Sequence, residues 1–133
     1  MYLLDTDICI YLINRHSKSI LEKISKLLPD SIGISAITMA ELEYGIEKSK
    51  KKIQNKDALI LALSPFEVFS FSESATGYYA ELRIYLEKKG KVIGANDMLI
   101  AAQALELNRI LVTNNEKEFN RIPKLKIENW TKS

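Results

Sequence analysis

The chain contains only one cysteine, Cys9, and one histidine, His16, among its 133 residues. A single cysteine excludes an intramolecular disulfide, and so small a supply of sulfur and imidazole ligands argues against zinc. No apolar run approaches the roughly 20 residues that a membrane-spanning helix needs. The first residues also lack the basic leader and cleavage site of a signal peptide. We therefore predict a cytoplasmic protein with no membrane partner.

Internal repeats, low-complexity segments and linker-like stretches are lacking as well. The composition, 47% hydrophobic and 27% charged, is that of an ordinary globular protein and not of a disordered one. The length suits one domain with one substantial core. We predict a single domain over residues 1–133.

Five short apolar segments are predicted to be strands because of their length and composition. They cover residues 2–6, 32–35, 67–71, 109–113 and 126–129. Helical periodicity predicts helices over residues 9–14, 17–28, 38–50, 56–62, 74–89 and 94–107, with Ser74 as a cap and Gly90 at a helix end. Strands that alternate with helices indicate parallel pairing, so we predict an α/β/α sandwich around a mainly parallel sheet of about five strands.

Acidic residues stand where these predicted strands end. Asp5 ends the first strand, Glu41 lies in the first turn of the helix after the second strand, and Asp97 lies in the first turn of the helix before the fourth. Glu116 and Glu118 follow the fourth strand. Ligands of parallel α/β sheets bind outside the carboxyl ends of the strands, so these acids are the candidates for chemistry.

Each acid also has a structural interpretation. Thr38 and Glu41 have the spacing of a capping box. Asp7 is of a residue type that commonly caps helices and precedes the first predicted helix. Asp97 suits the positive end of a helix dipole, with Asn96 as the cap.

Two observations favour a joint site. Asp97 leads an apolar stripe formed by Ile100, Ala101 and Ala104, so its carboxylate faces the sheet. Asp5, Glu41, Asp97 and Glu118 are also predicted to converge without basic residues placed to neutralise them. Like charges raise each other's pKa unless a cation intervenes. A site made only of oxygen ligands favours a hard metal ion. We therefore predict Mg²⁺, for which Mn²⁺ can substitute.

Four blocks of the sequence, in this order, resemble the PIN-domain ribonucleases and, within them, the VapC-type toxins of bacterial toxin–antitoxin pairs. The blocks are LLDTD at 3–7, ISAITMAELEYGIEKS at 34–49, VIGANDMLIAAQALELNRILVTNNEKEF at 92–119 and IENW at 127–130. The resemblance spans roughly residues 1–130. It implies the same fold as the strand and helix pattern, a small parallel sheet between helices.

The resemblance also assigns residues. It implies that Asp5, Glu41 and Asp97 are catalytic metal ligands and that Glu118 is the fourth catalytic acid, which helps to place a second ion or the attacking water. Asp7, Thr113 and Asn115 match supporting positions near the metal; Asp7 stands where relatives often have Asn. These assignments predict a metal-dependent endoribonuclease whose products carry a 5′-phosphate and a 3′-hydroxyl.

The implied substrate is RNA, most of all the anticodon loop of tRNA. The implied partners are a VapB-type antitoxin and a second copy of the chain, in a homodimer that becomes a hetero-oligomer when antitoxin binds. Candidate RNA-binding residues are Arg15, Lys48, Lys50, Lys51, Lys88, Lys89 and Lys91. Taken individually, most of these residues fit plain surface lysines better than an RNA contact.

Two other functions fit parts of the sequence. The Asp5-Thr6-Asp7 triplet after an apolar strand resembles the opening of haloacid-dehalogenase-type phosphatases, although Ile8 and Cys9 replace the small hydroxyl residue expected there. A non-catalytic PIN-like module that binds RNA or protein is the other alternative. Its signature is the loss of an acid, whereas all four matched acids are present here.

Overall fold

The computed structural model describes residues 1–132. At its centre lies a parallel sheet with strand order β3-β2-β1-β4-β5. The strands are β1 (Tyr2–Leu4), β2 (Ile32–Ser35), β3 (Glu67–Phe69), β4 (Ile110–Val112) and β5 (Ile127–Glu128). All five lie within the predicted segments, and the predicted α/β fold is confirmed.

Seven helices connect these strands. They are α1 (Thr6–Ile13), α2 (Lys18–Ser25), α3 (Ala36–Lys48), α4 (Lys52–Leu63), α5 (Thr76–Lys88), α6 (Ala95–Leu107) and α7 (Glu116–Phe119). Short 3-10 turns, Pro29–Ser31 and Glu73–Ala75, precede β2 and α5. The prediction missed α7, which is a single turn and too short to show a helical period.

Alternating strand residues build a core on each face of the sheet. Leu3 and Leu111 are fully buried against α5 and α6, whereas Leu4, Ile34 and Val112 are fully buried against α1, α3 and α4. Neighbouring residues of a strand point to opposite faces, so consecutive apolar residues in the same strand fill both layers. This is why the strands read as continuous apolar runs.

Helices α1, α3 and α4 begin earlier than predicted, and for α1 and α3 the reason is that the last residue of a strand, or the one after it, caps the helix. Asp5 caps α1 through Oδ1, which accepts the Thr6 N–H at 2.9 Å, so the capping role predicted for Asp7 is wrong. Ser35 caps α3 through Oγ, which accepts the Ile37 N–H at 2.9 Å. The predicted capping box of Thr38 and Glu41 is therefore wrong, and Glu41 lies in the second turn.

Two further predicted caps differ. Ser74 lies within the 3-10 turn before α5 and caps nothing, and Gly94, not Asn96, is the residue that precedes α6. The predicted end of α5 is confirmed. Gly90 has φ +65°, and the N–H groups of Gly90 and Lys91 bond the carbonyls of Glu87 and Leu86 at 3.0 Å each, as in a Schellman motif.

All five strands end at the same edge of the sheet, which we call the carboxyl edge. Helix α6 ends three residues before β4 begins, so its last turn lies at the opposite edge and its first turn at the carboxyl edge. The Ser72 hydroxyl bonds Glu106 in that last turn at 3.0 Å, so the chain enters α5 from the opposite edge. The end of α5 therefore returns to the carboxyl edge, close to the start of α6.

Candidate functional site

Asp5 is the most buried acid at the carboxyl edge, with only 5% of its surface exposed. Its Oδ1 accepts the Thr6 N–H, and its Oδ2 accepts the Thr113 hydroxyl at 2.8 Å. Burial and the nearby charge of Asp7 raise the pKa of Asp5 to about 7 despite these two donors. A carboxyl group with this pKa is only about half ionised at neutral pH, and a nearby positive charge would favour its ionised form.

Asp7 lies beside Asp5 in the first turn of α1. Its Oδ2 accepts the backbone N–H of Asn114 at 3.0 Å. Its Oδ1 is buried and has no hydrogen-bond partner, the only such side-chain atom in the described part of the chain. Burial raises the pKa of Asp7 as well. An unpaired buried carboxylate oxygen is costly, so Oδ1 marks a place where a donor or a cation fits.

Glu41 reaches the same place from α3. The Thr6 hydroxyl donates to its Oε1 at 2.6 Å, and the hydroxyl of buried Thr38 lies 3.2 Å from Thr6 Oγ1. Thr6 is thus a connecting residue: its N–H bonds Asp5 and its hydroxyl bonds Glu41. The sequence alone assigns neither Thr6 nor Thr38 to the site. The only signal was the position of Thr6 between the two aspartates.

Asp97 projects from the first turn of α6, as predicted, and is half-buried. No residue within 1–132 donates a hydrogen bond to the Asp97 carboxylate. Each of the other acids at this edge accepts at least one hydrogen bond. Burial, followed by the charges of Glu118, Glu41 and Asp7, raises its pKa to about 6. These interactions show that Asp97 faces the acids of three other elements.

Glu118 is held from α7 by its own loop. The Asn115 side-chain amide donates to Oε2 of Glu118 at 2.8 Å, and the Asn115 N–H donates to Thr113 Oγ1 at 2.9 Å. Because the Thr113 hydroxyl in turn donates to Asp5, one chain of hydrogen bonds joins the fourth acid to the first. The predicted supporting residues Thr113 and Asn115 both belong to this chain.

We call the five carboxylates of Asp5, Asp7, Glu41, Asp97 and Glu118 the acidic cluster. No lysine or arginine in the described chain forms an ion pair with any of these five acids. The ion pairs found there involve four other glutamates. Those acids are Glu43, Glu47, Glu87 and Glu116. The acidic cluster therefore concentrates negative charge without a protein counter-ion.

The donor set fits a hydrated hard cation. It consists of carboxylate oxygens. These include Oδ1 of Asp7, which has no hydrogen-bond partner, and the carboxylate of Asp97, which accepts no hydrogen bond from the described chain. Within residues 1–132, no group of three histidine, cysteine, aspartate or glutamate side chains is placed to hold one ion together. Mg²⁺ does not require such a cage, because it keeps several waters and takes one or two carboxylates directly.

Glu116, which the sequence placed beside Glu118, lies outside the acidic cluster. It pairs with Lys132 at 2.7 Å and accepts a hydrogen bond from Asn129 at 3.0 Å, and these contacts lower its pKa. Residues two apart on a helix point in nearly opposite directions, so only one of the two acids of α7 faces Asp97.

The candidate RNA-binding residues are exposed but do not form one patch. Arg15 follows α1, and Lys48 lies against the Tyr44 ring, 5.1 Å from its centroid. Lys48 is seven residues beyond Glu41, about 10 Å farther along α3. Lys50 follows the end of α3, whereas Lys88 is the last residue of α5 and Lys91 lies in the connection that follows it. His16, predicted to be a surface residue, is exposed.

None of the helices within residues 1–132 has both the length and the apolar character needed to cross a bilayer.

Comparisons with known proteins agree with this fold. Residues 2–125 match the model of the PIN domain. Ribonuclease VapC2 of Rickettsia felis is 52% identical over 133 residues, which cover 99% of both chains. The tRNA(fMet)-specific endonuclease VapC of Salmonella typhimurium is 36% identical over 97% of both chains.

A solved structure has the same fold. The crystal structure of VapBC2 from Rickettsia felis bound to a DNA fragment from their promoter contains a chain that superimposes with a TM-score of 0.92, at 52% identity, over 97% of this chain and 98% of that one. The match therefore extends from β1 to β5 and includes every element that contributes to the acidic cluster. The chain belongs to the PIN-domain family and, within it, to the VapC ribonucleases.

Proposed function

We propose that this ribonuclease is the toxin of a toxin–antitoxin pair and that it cleaves tRNA in the anticodon loop with Mg²⁺ as its cofactor. PIN-domain ribonucleases are metal-dependent. The observation that carries the proposal is the acidic cluster, five carboxylates at one edge of the sheet with no counter-ion from the described chain. The name of the Salmonella typhimurium relative supports tRNA as the substrate.

Asp5, Glu41 and Asp97 would hold the ion directly or through water. When bound, Mg²⁺ (or Mn²⁺ in its place) supplies a Lewis acid that polarises the scissile phosphate and makes water more acidic. The Thr113 hydroxyl orients Asp5, and the Thr6 hydroxyl orients Glu41. These fixed hydrogen bonds keep the carboxylates near their working positions before substrate arrives.

Glu118 has a different role in this mechanism. Asn115 bonds its Oε2, which leaves Oε1 to accept a proton from the attacking water. The water oxygen forms the new bond to phosphorus while the bond from phosphorus to the 3′ oxygen breaks. The leaving oxygen takes up a proton, so the products carry a 5′-phosphate and a 3′-hydroxyl.

The proposed partners follow from the same assignment. Solved relatives are VapBC complexes, which supports a VapB-type antitoxin as the partner of this chain. We propose that residues 1–133 act as one domain, that the toxin is a homodimer, and that antitoxin binding converts it into a hetero-oligomer. Because its proposed substrate is tRNA, we propose that it acts in the cytoplasm.

The test is cleavage of a pool of bacterial tRNA and ribosomal RNA by the purified chain, freed of antitoxin. We expect discrete fragments with Mg²⁺ or Mn²⁺, no fragments with EDTA, and no fragments from an Asp97→Asn variant. Asp57→Asn, which changes an exposed acid on α4, is the matched control and should cleave normally. Mapping the fragment ends identifies the substrate.

Two results would contradict the proposal. Cleavage that persists in Asp97→Asn would place the active site elsewhere or reveal a contaminant. A folded protein that binds metal and RNA yet produces no fragments would indicate a non-catalytic binding module.

A second prediction concerns Thr113. Thr113→Val removes the hydroxyl that donates to Asp5 and accepts the Asn115 N–H, so the first and fourth acids lose their link. Loss of a residue that orients a metal ligand typically weakens metal binding about 10- to 100-fold. We expect the Mg²⁺ concentration for half-maximal cleavage to rise by that factor, with activity recovered at high Mg²⁺.

The matched control for Thr113→Val is Thr76→Val, which removes an exposed hydroxyl that bonds only the nearby Glu73 carbonyl. A Mg²⁺ titration of cleavage separates the two variants. If the titration curve of Thr113→Val overlies that of the control, the hydroxyl does not orient a metal ligand.

A further inference from the structure

A basic cleft of about 300 Å³ lies between the end of α5 and the segment that follows α7. We call it the basic cleft, and its walls are Tyr85, Leu86, Lys89, Lys91, Asn120 and Arg121. Three of these six residues are cationic and none is acidic. The basic cleft therefore has the opposite charge to the acidic cluster.

The basic cleft lies at the carboxyl edge, next to the acidic cluster. On one wall, Lys91 is six residues before Asp97, and only the short connection 89–94 separates α5 from α6. On the other wall, the Arg121 N–H donates to the Glu118 carbonyl at 3.1 Å, so Arg121 is one turn beyond that acid. The two segments that carry Asp97 and Glu118 into the acidic cluster thus also form the basic cleft.

The cations of the basic cleft have no protein partner in the described chain. Elsewhere within residues 1–132, Lys52, Lys56, Arg83 and Lys132 each pair with a glutamate. Lys89, Lys91 and Arg121 form no such ion pair. Lys89 instead lies over the Tyr85 ring, 5.6 Å from its centroid, which limits the positions its ammonium group adopts. Unpaired cations around a concave surface attract an anion.

We propose that the basic cleft binds a backbone phosphate of the RNA strand beside the scissile bond. The inference rests on the proposed function, since it concerns the strand that the acidic cluster would cleave. Arg121 offers a planar set of N–H donors suited to phosphate oxygens, and Lys89 and Lys91 add compact charges. The Asn120 amide is a further donor at the rim.

This placement puts the RNA strand on one side of the acidic cluster. Repulsion by five carboxylates opposes the approach of phosphates to the acidic cluster. A phosphate held in the basic cleft offsets that repulsion and positions the strand on the side of Asp97 and Glu118. By contrast, the exposed Lys48 is the last residue of α3, seven residues beyond Glu41.

The experiment measures RNA binding apart from cleavage. A fluorescein-labelled tRNA anticodon stem–loop is titrated with the full-length chain in EDTA, and fluorescence anisotropy is recorded over a range of salt concentrations. We expect Arg121→Gln to weaken binding about fivefold. Removal of one phosphate contact should also reduce the slope of log affinity against log salt by about 0.7 to 1. Combining it with Lys91→Gln should reduce the slope further.

Lys126→Gln is the matched control, because Lys126 precedes β5 and so lies at the opposite edge of the sheet. We expect it to leave both affinity and slope near those of the unchanged protein, and we expect Arg121→Lys to restore most of the lost affinity. With Mg²⁺ present, the loss caused by Arg121→Gln should appear mainly in KM.

The outcomes separate this inference from the proposed function. If Arg121→Gln and Lys126→Gln bind the RNA alike, or if the chain binds no RNA, the basic cleft is not a phosphate site. If binding depends on Arg121 but no condition yields cleavage, the basic cleft stands and the proposed nuclease activity fails.

Discussion

Replacing Asp5 with asparagine is expected to abolish RNA cleavage and, at the same time, to stabilise the metal-free protein. The loss of activity should be on the order of 10³-fold or more, because the variant loses the most buried carboxylate of the acidic cluster. The gain in stability has a separate cause. Asp5 is buried beside Asp7, and without a cation its negative charge opposes folding.

The sign of the pH dependence follows from the same pKa. An unfolded chain releases the Asp5 proton near 3.8, whereas the folded protein keeps it up to about pH 7. Between these values the folded state binds more protons, so the free energy of unfolding falls as pH rises. The effect is on the order of 4 kcal/mol by pH 8. Raised pKa values at Asp7 and Asp97 act in the same direction.

The asparagine of the Asp5→Asn variant cannot ionise, yet its side-chain oxygen can still accept the Thr6 N–H and cap α1. Denaturant unfolding of the metal-free proteins at acidic and mildly alkaline pH should therefore show Asp5→Asn gaining over the unchanged chain as pH rises. Added Mg²⁺ should stabilise the unchanged chain and not the variant. Asp57→Asn, at an exposed position, should follow the unchanged chain in both measurements.

A different outcome would revise the role of Asp5. If the variant is less stable than the unchanged chain at alkaline pH without metal, the hydrogen bonds from Thr6 and Thr113 outweigh the burial of charge. If it cleaves RNA at the normal rate, Asp5 is a helix cap and not part of the active site.

The convergence of the acids could be predicted from sequence because it depends on topology. Parallel strands end at one edge, so Asp5 after β1, Glu41 after β2 and Glu118 after β4 had to meet there. Asp97 was predictable from the apolar stripe behind it. The phosphatase alternative rested on one triplet, and a PIN-domain match over residues 2–125 decides against it.

The contacts that orient the acids could not be predicted, because they join distant residues. Thr6 and Glu41 are 35 residues apart, and Thr113 and Asp5 are 108 apart. The start of α3 was misplaced for a related reason: Ser35 ends a strand and caps a helix at once, whereas Thr38 fits the capping-box pattern equally well. In the folded sheet Ser35 still pairs with Phe69 of β3, and this long-range pairing cannot be read from the local sequence.

Gly33→Ala is expected to have the largest effect on stability among small changes outside the acidic cluster. A methyl group at Gly33, in β2, would collide with the Phe69 ring, lying 2.9 Å from its Cδ2, and would lie 3.3 Å from Arg109 Nη1. The ring has little room to move. The Arg109 guanidinium lies 4.6 Å from its centroid and donates hydrogen bonds to the carbonyls of Tyr2 and Ser31 at 3.1 and 3.5 Å.

Overpacking of this kind costs about 3 kcal/mol, which for a chain of this size lowers Tm by roughly 10 °C. Thermal and denaturant unfolding measure the loss. Gly45→Ala is the matched control, because a Cβ there meets no atom within 4 Å and Gly45 lies inside α3. Alanine at that helical position should be neutral or stabilising by up to about 1 kcal/mol.

A second substitution tests whether Phe69 is the cause. Phe69→Leu removes the ring atoms that the new methyl group would meet, so it should cost less in the Gly33→Ala background than alone, with a coupling of about 1 kcal/mol or more. Additive losses would mean that the strain lies in the backbone of β2 and not against the ring. Because β2 leads into α3, which carries Glu41, a shift of this strand would also displace an acid of the cluster. A shift confined to Phe69 would leave the acidic cluster intact.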